Sequence, residues 1–477
     1  MLTNAVIIIY IAGMLAVGFW FSRRSQVSDG KDYMLAGQGL GAPVLAGTML
    51  TTFVGSGSVI GGASFVYQNG PLVGIFFFLG TIAGALALGF IAKRVRQNSF
   101  STVPQLLTAR FGNGVGILGT VIVLLAFIGI TGTQFTGAGY IFSLLTPLTE
   151  GQGSIAAFFL ITFLAMSGGL KSVSWTDFLS ALLILGGLLS AVAYVYLAYF
   201  DGFGDYTDRL PDQLQSFTGT LTPLQILGFF LPLFLLILGD QNMHQRLAAA
   251  KDAKTAQRAT YYFFGAGILM IAPIIFLASF SRVLLPNISP DMAILGLADS
   301  SFTPEMVGAI ILATALALVL TTGSSYLLAS SGSIVYDLLF RNTQKRESLS
   351  GRQQVLYSRL SVMIIAVLAF VIVQFFPTFL SLQMYAYTMY GAAVTPVVLA
   401  ALFWKRVSVA GAASSMIVGS VATIAWEVWG GSVNSVVISF PLALFTLVAV
   451  SLTTKHAPMV TQNHANETST TTNLEQP

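Results

Sequence analysis

The densest concentration of ligand atoms in the sequence is the run TTGSSYLLASSGS, Thr321 to Ser333. Thr321, Ser324 and Ser325 fall at i, i+3 and i+4, so on a helix they share one face, with Thr322 beside them. Hydroxyl oxygens are hard ligands suited to Na⁺ and need no net charge. The competing reading is that these hydroxyls bond back to carbonyls of their own helix. A second segment, GQGLGAPVLAGTMLTTFVGSGSVIGG from Gly37 to Gly62, carries glycines at 55, 57, 61 and 62 interleaved with Ser56 and Ser58. Glycine weakens a helix, so this one is poorly held near its middle. Carbonyls freed there can coordinate a cation, and freed amides an anionic group. Close packing through small residues is the alternative. The third feature is Asp177, in GGLKSVSWTDFLSALLILGG. About 9 Å into a helix counted from Lys171, its carboxylate is an ion ligand, a proton carrier or the structural partner of a helix-end lysine such as Lys171. Asp240 and Asp337 lie closer to segment ends, where an interfacial or paired role is expected.

Other chemistries lack their residues. The chain has no cysteine, which removes disulfides, thiolate metal sites and a thiol nucleophile. Of its three histidines, His244, His456 and His464, two fall in a polar tail, so a multi-histidine metal centre is not expected. No nucleophile–base pair stands out, and no enzymatic activity is expected.

The elements that must position these residues follow from composition. The 477 residues are 55% hydrophobic and 8% charged, against roughly 25% charged in a soluble domain. Such a surface is solvated by lipid. Reading for runs of about 20 apolar residues predicts spans near 4–22, 43–67, 72–92, 114–145, 153–169, 172–199, 222–243, 260–284, 305–340, 355–376, 379–404, 408–428 and 433–454. The expected fold is an all-α polytopic membrane protein of about thirteen transmembrane helices. With the N-terminus outside, every basic residue of the 22 except Arg209 and Arg282 falls on the cytoplasmic side, as the positive-inside rule asks. The acidic loop 201–212 lies outside and the C-terminus lies in the cytoplasm of a cell-membrane protein. Residues 1–42 are read as an extra helix and a cytoplasmic loop, 43–404 as the core, 405–455 as two further helices and 456–477 as a disordered tail.

In this order, GQGLG with FVGSGS, RFG at 110–112, GGLKSVSWTD at 168–177, DQNMHQRLAAAKDAKTA at 240–256, the hydroxyl run and LFWKRVSVAGA at 402–412 resemble the sodium:solute symporter family. That family carries sugars, proline, pantothenate and sialic acid with sodium. The resemblance implies a leucine-transporter fold, with two inverted five-helix repeats formed by the second to sixth and seventh to eleventh spans. It also implies a Na⁺ site made by the carbonyls of Thr51, Val54 and Leu318 with the hydroxyls of Thr321 and Thr322. A second Na⁺ or proton site would fall on Asp177, Ser324 and Ser325. The substrate pocket departs from the sugar carriers, since Leu233, Leu236, Ile237 and Leu238 precede the Asp240–Gln241 pair. A polyol needs many paired hydroxyls, so a smaller or less polar, zwitterionic solute fits better. Phe53, Ser56, Ser58, Gln134, Tyr385 and Tyr387 are the substrate candidates. The expected function is sodium-coupled symport of a small organic solute by alternating access, with the lipid bilayer as its surroundings and no nucleic-acid partner. The alternatives are a membrane sensor that keeps the fold without flux, and an ion channel.

Overall fold

The computed structural model describes residues 2–21, 29–341, 348–375, 379–431 and 433–458. These residues are almost entirely helical. In chain order the helices are α1 (Leu2–Phe21), α2 (Gly30–Leu35), α3 (Ala42–Phe53), α4 (Ala63–Asn69), α5 (Pro71–Asn98), α6 (Val103–Phe111), α7 (Asn113–Leu145), α8 (Glu150–Met166), α9 (Gly169–Tyr199) and α10 (Phe203–Arg209). There follow α11 (Pro223–Gly239), α12 (Gln241–Ala248), α13 (Ala253–Leu284), α14 (Leu295–Ala298), α15 (Glu305–Gly332), α16 (Gly351–Val373), α17 (Phe379–Ala393), α18 (Thr395–Phe403), α19 (Val409–Trp429) and α20 (Val436–Thr453). Among the described residues, ten helices are long and apolar enough to cross a bilayer, and the bent pair Ala42–Phe53 and Gly57–Asn69 makes an eleventh. Two of the thirteen expected spans are occupied by shorter apolar helices, Ala5–Phe21 and Glu150–Met166.

Helix ends follow local chemistry. Thr149 and Gln152 form a capping box at the start of α8, and Thr222 and Gln225 form one at the start of α11. Asp252 caps α13 by accepting from the Thr255 amide at 2.7 Å. Large apolar side chains such as Phe90, Phe159, Leu197 and Phe445 point outward, as a lipid-solvated surface requires.

The packing follows a two-fold pattern. Contact of α3 with α9 is matched by contact of α11 with α17, α9 with α15 by α17 with α7, and α3 with α13 by α11 with α5. Each partner in these pairs occupies the same ordinal place in the two expected five-span repeats. The first span of each repeat is broken, α3/α4 at Val54–Gly55 and α11/α12 at Asp240. At the centre stands α15, buried on every side from Leu316 to Gly332. A helix that is apolar or small all round belongs in such a position.

Segments near both ends pack on the rest of the chain. The segment ahead of α3 contains α2, which buries Tyr33, Met34 and Leu35 completely. Tyr33 donates to the Ala165 carbonyl at 3.0 Å, and the Met34 carbonyl accepts from Gln245 at 2.8 Å. At the other end, the Ala457 amide bonds to the Val407 carbonyl at 2.8 Å. Residues 459–477 of the expected tail lie outside the described residues.

Candidate transport site

The site begins with a helix that stops halfway. Val54 leaves helical geometry (φ −86°, ψ 89°), and the two halves of the span meet at 58°. Gly55 is required there by proximity. A Cβ on it would lie 2.8 Å from both Cβ and Cγ2 of Thr322, so any side chain would push the break off α15. That close approach brings the Thr51 carbonyl onto the hydroxyl face of α15. It accepts from Thr322 Oγ1 at 2.8 Å and from Thr321 Oγ1 at 3.2 Å. Thr321 Oγ1 also reaches the carbonyls of Ala317 at 2.8 Å and Leu318 at 3.2 Å. Four of the five oxygens expected to hold Na⁺ are therefore neighbours. Val54 sits in the break itself, its amide on the Leu50 carbonyl at 2.8 Å. The donor set is neutral and hard. The Thr321 proton can stay on Ala317 while its lone pairs turn to an ion, which makes the geometry convertible without unfolding α15.

One turn along α15 lies a second, charged cluster. Asp177 Oδ2 accepts from Thr48 at 2.6 Å and Ser325 at 3.2 Å. Arg246 Nη2 stands 3.6 Å from the same oxygen. The guanidinium also donates from Nε to Thr48 at 2.9 Å, from Nη2 to Ser325 at 2.6 Å and from Nη1 to Asn242 Oδ1 at 3.1 Å. Thr52 donates to Ser325 at 3.1 Å. The two hydroxyls thus relay the guanidinium to the carboxylate and tie α3, α9, α12 and α15 together. Both charged side chains are wholly buried. Asp177 Oδ1 has no hydrogen-bond partner. Ser324, expected beside Asp177, instead bonds back to the Thr321 carbonyl at 3.2 Å. Arg246, which the sequence reading put in a cytoplasmic segment, is an interior residue.

The other two carboxylates are interior as well. Asp240 is fully buried: it caps α12 through the Asn242 amide at 2.9 Å and accepts from Tyr326 at 3.1 Å. Tyr326 lies four residues beyond Thr322, on the same side of α15. Asp337 accepts from Thr102 at 2.8 Å and is buried, in keeping with the paired role expected of it.

On the opposite side of the break, α17 faces α3. Phe53 stacks on Tyr387 with ring centroids 6.4 Å apart, and Gln383 donates to the Tyr387 hydroxyl. Gly57 leaves the space that the Gln383 amide fills. Gln134 accepts from the Ser56 amide at 3.1 Å and so braces the break rather than facing open space. Two buried groups here have no partner, Ser56 Oγ and Gln383 Oε1. Of the expected substrate residues, Phe53, Ser56, Gln134 and Tyr387 gather at the break. Ser58 is half-buried in the following turn, and Tyr385 is half-buried on α17. Arg246, Thr48 and Gln383 are the residues the sequence reading missed. The Gln245–Arg246 pair inside the DQNMHQRLAAAK segment was a signal for the first, whereas a lone glutamine in an apolar span gave little notice of the third.

The model of the sodium:solute symporter family matches residues 33–419. The high-affinity proline transporter PutP of Bacillus subtilis (strain 168) is 28% identical over 95% of this chain and 98% of its own. The sodium/proline symporter of Haemophilus influenzae is 30% identical, covering 88% of this chain and 87% of its own. Among solved structures, a Na⁺-coupled sialic acid symporter in a substrate-bound outward-open state superposes with a TM-score of 0.82 at 18% identity, over 97% of this chain and 99% of its own. Mhp1, a nucleobase-cation-symport-1 family transporter, does so with a TM-score of 0.60 at 13% identity, over 90% and 94%.

Proposed function

The chain belongs to the sodium:solute symporter family, and from that premise we propose that it takes up a small zwitterion of the proline class with one Na⁺. It is a multi-pass membrane symporter of a small organic solute and not an enzyme. The observation that carries the ion assignment is the meeting of the Thr51 and Leu318 carbonyls with the Thr321 and Thr322 hydroxyls at the helix break. Val54 completes the proposed ligand set from the break itself. An ion at this position would add to the direct bonds between α3 and α15, so its binding and release would bias the contact on which alternating access depends.

The solute assignment rests on the other face of the break. Ser56 Oγ and Gln383 Oε1 are buried polar atoms with no partner, which is costly unless a ligand supplies one. Phe53 and Tyr387 offer a flat apolar wall suited to a small ring. Leu233, Leu236, Ile237 and Leu238 on α11 are buried and carry no hydroxyl partner for a polyol. A carboxylate or ammonium with a short hydrocarbon body matches this set, as does the substrate named for the proline symporters it resembles. Removing the amide in Gln383→Leu is expected to raise KM for the solute by about tenfold, the cost of one buried hydrogen bond, with the Na⁺ dependence unchanged. An unaltered KM would remove Gln383 from the pocket.

One Na⁺ is proposed rather than two because Asp177 already has a resident cation. Arg246 approaches its carboxylate directly and through two hydroxyls, and Ser324 donates to the Thr321 carbonyl. Reconstituted into vesicles, the protein should accumulate proline or a close analogue under an inward Na⁺ gradient, with a Hill coefficient near one for Na⁺. Absence of Na⁺-driven uptake across a panel of small zwitterions would defeat the proposal.

The orientation proposed is N-terminus outside and C-terminus cytoplasmic. It rests on the one-sided distribution of basic residues. A side chain at Gly204 would meet open space, so Gly204→Cys tests the outer loop, and Ala465→Cys tests the tail. In a chain with no native cysteine, the first should label from outside intact cells and the second only after permeabilisation. Labelling of both from one side would refute the orientation.

A further inference from the structure

At the periphery of the bundle, α1, α8 and α16 enclose a cleft of about 310 Å³ lined by Phe19, Phe163, Met166, Ser167 and Arg359. We propose that this cleft binds an anionic phospholipid, with Arg359 taking the phosphate and the aromatic walls taking the acyl chains.

The argument starts from where Arg359 stands. Leu356, Leu360, Met363 and Ile364 on the same helix are all exposed, so α16 presents this face to lipid. Arg359 lies among them, two turns and about 10 Å further along than Arg352. A charge beside lipid-facing side chains is costly and is retained where something pairs with it. Arg359 donates from Nη2 to the Ser167 carbonyl at 2.8 Å and also lies within hydrogen-bonding reach of the neutral Tyr33 hydroxyl. Its Nε is buried and has no hydrogen-bond partner. Among the described residues no carboxylate pairs with it; the two ion pairs seen are Arg209 with Asp205 and Arg246 with Asp177.

The shape of the cleft selects among anions. Phe19 and Phe163 are 63% and 42% exposed, and Met166 continues the same apolar wall. A free phosphate would use none of that surface. A phospholipid uses both parts, and its headgroup is at the depth to which an arginine extends its guanidinium. Basic pockets between membrane helices are known to hold such headgroups. Ser167 closes α8 immediately ahead of α9, the helix that carries Asp177. A lipid bound here would therefore steady the joint between α8 and α9.

Native mass spectrometry of the full-length protein, exchanged into matched phosphatidylglycerol or phosphatidylcholine micelles, tests the proposal. Wild type should retain phosphatidylglycerol preferentially, and Arg359→Gln should lose about fivefold of that preference, the ratio expected for one basic residue at the membrane surface. Arg352→Gln, whose residue is outside the cleft, should keep it. Equal retention of the two lipids by wild type would overturn the site without reference to any variant. So would an equal loss in Arg352→Gln, which would mean a diffuse basic surface. Displacement of the lipid by millimolar inorganic phosphate would assign the cleft to a free anion instead.

Discussion

Arg246→Met will destabilise the protein by about 3–5 kcal/mol, the range for breaking a buried ion pair from one side. The reason is specific to this arrangement. Asp177 is wholly buried and Arg246 is the cation beside it. Methionine fills part of the volume, but it leaves the carboxylate with two hydroxyl donors and no charge. Thr48 and Ser325 each lose a donor at the same moment. Adding Asp177→Asn should recover most of the loss, because the site then holds two neutral groups. Thermal or denaturant unfolding of the two single variants and the double variant gives the coupling energy. A double variant no better than Arg246→Met alone would mean that the two charges do not depend on each other. The same series tests stoichiometry. If Arg246 is the resident counter-charge, Asp177→Asn leaves the Hill coefficient of Na⁺-dependent uptake where wild type has it. A wild-type coefficient near two that falls to one in Asp177→Asn would instead make Asp177 a Na⁺ ligand.

Thr321→Val will abolish most of the stabilisation that Na⁺ confers on the purified protein. Na⁺ at about 100 times its dissociation constant stabilises a single site by about 2.7 kcal/mol, and this is the quantity at stake. Valine keeps the shape of threonine and removes the oxygen that now reaches Thr51, Ala317 and Leu318. Loss of the Na⁺ response with little change in stability without sodium would report coordination rather than packing. Thr321→Ser keeps the oxygen and should keep most of the response. Thr322→Val should behave like Thr321→Val, with an added contribution because Thr322 also fills the space left by Gly55. A Na⁺-induced shift of wild-type size in both valine variants would exclude α15 from the ion site.

Both predictions draw on one helix, yet they were unequally visible in the chain. The spacing of Thr321, Ser324 and Ser325 on α15 and the glycines around Ser56 are local patterns, and local patterns predict which side chains share a face. They pointed to the two segments that the structure joins at Thr51 and Thr322. The membrane character was equally legible, since a surface with so little charge has only lipid to face. The span count was less so, because length alone does not separate a crossing from the shorter helices Ala5–Phe21 and Glu150–Met166. Hydroxyl spacing left the partners open. It grouped Ser324 with Ser325, and in the structure Ser324 donates to the Thr321 carbonyl while Ser325 donates to Asp177.

The class of the molecule, the location of the helix break and the hydroxyl face that meets it were legible in the amino-acid order. Those depend on composition and on neighbours within a turn or two. Which cation neutralises Asp177 depends on how distant helices pack. Arg246 belongs to a segment whose basic residues read as cytoplasmic, and it becomes interior because α12 folds back under α3 and α15. The same holds for Gln383, an unremarkable polar residue in an apolar span until α17 sets it against Gly57. A charge or an amide is inexpensive in water and costly when buried. Its role therefore follows from the groups packed around it, and those come from helices far apart in the chain.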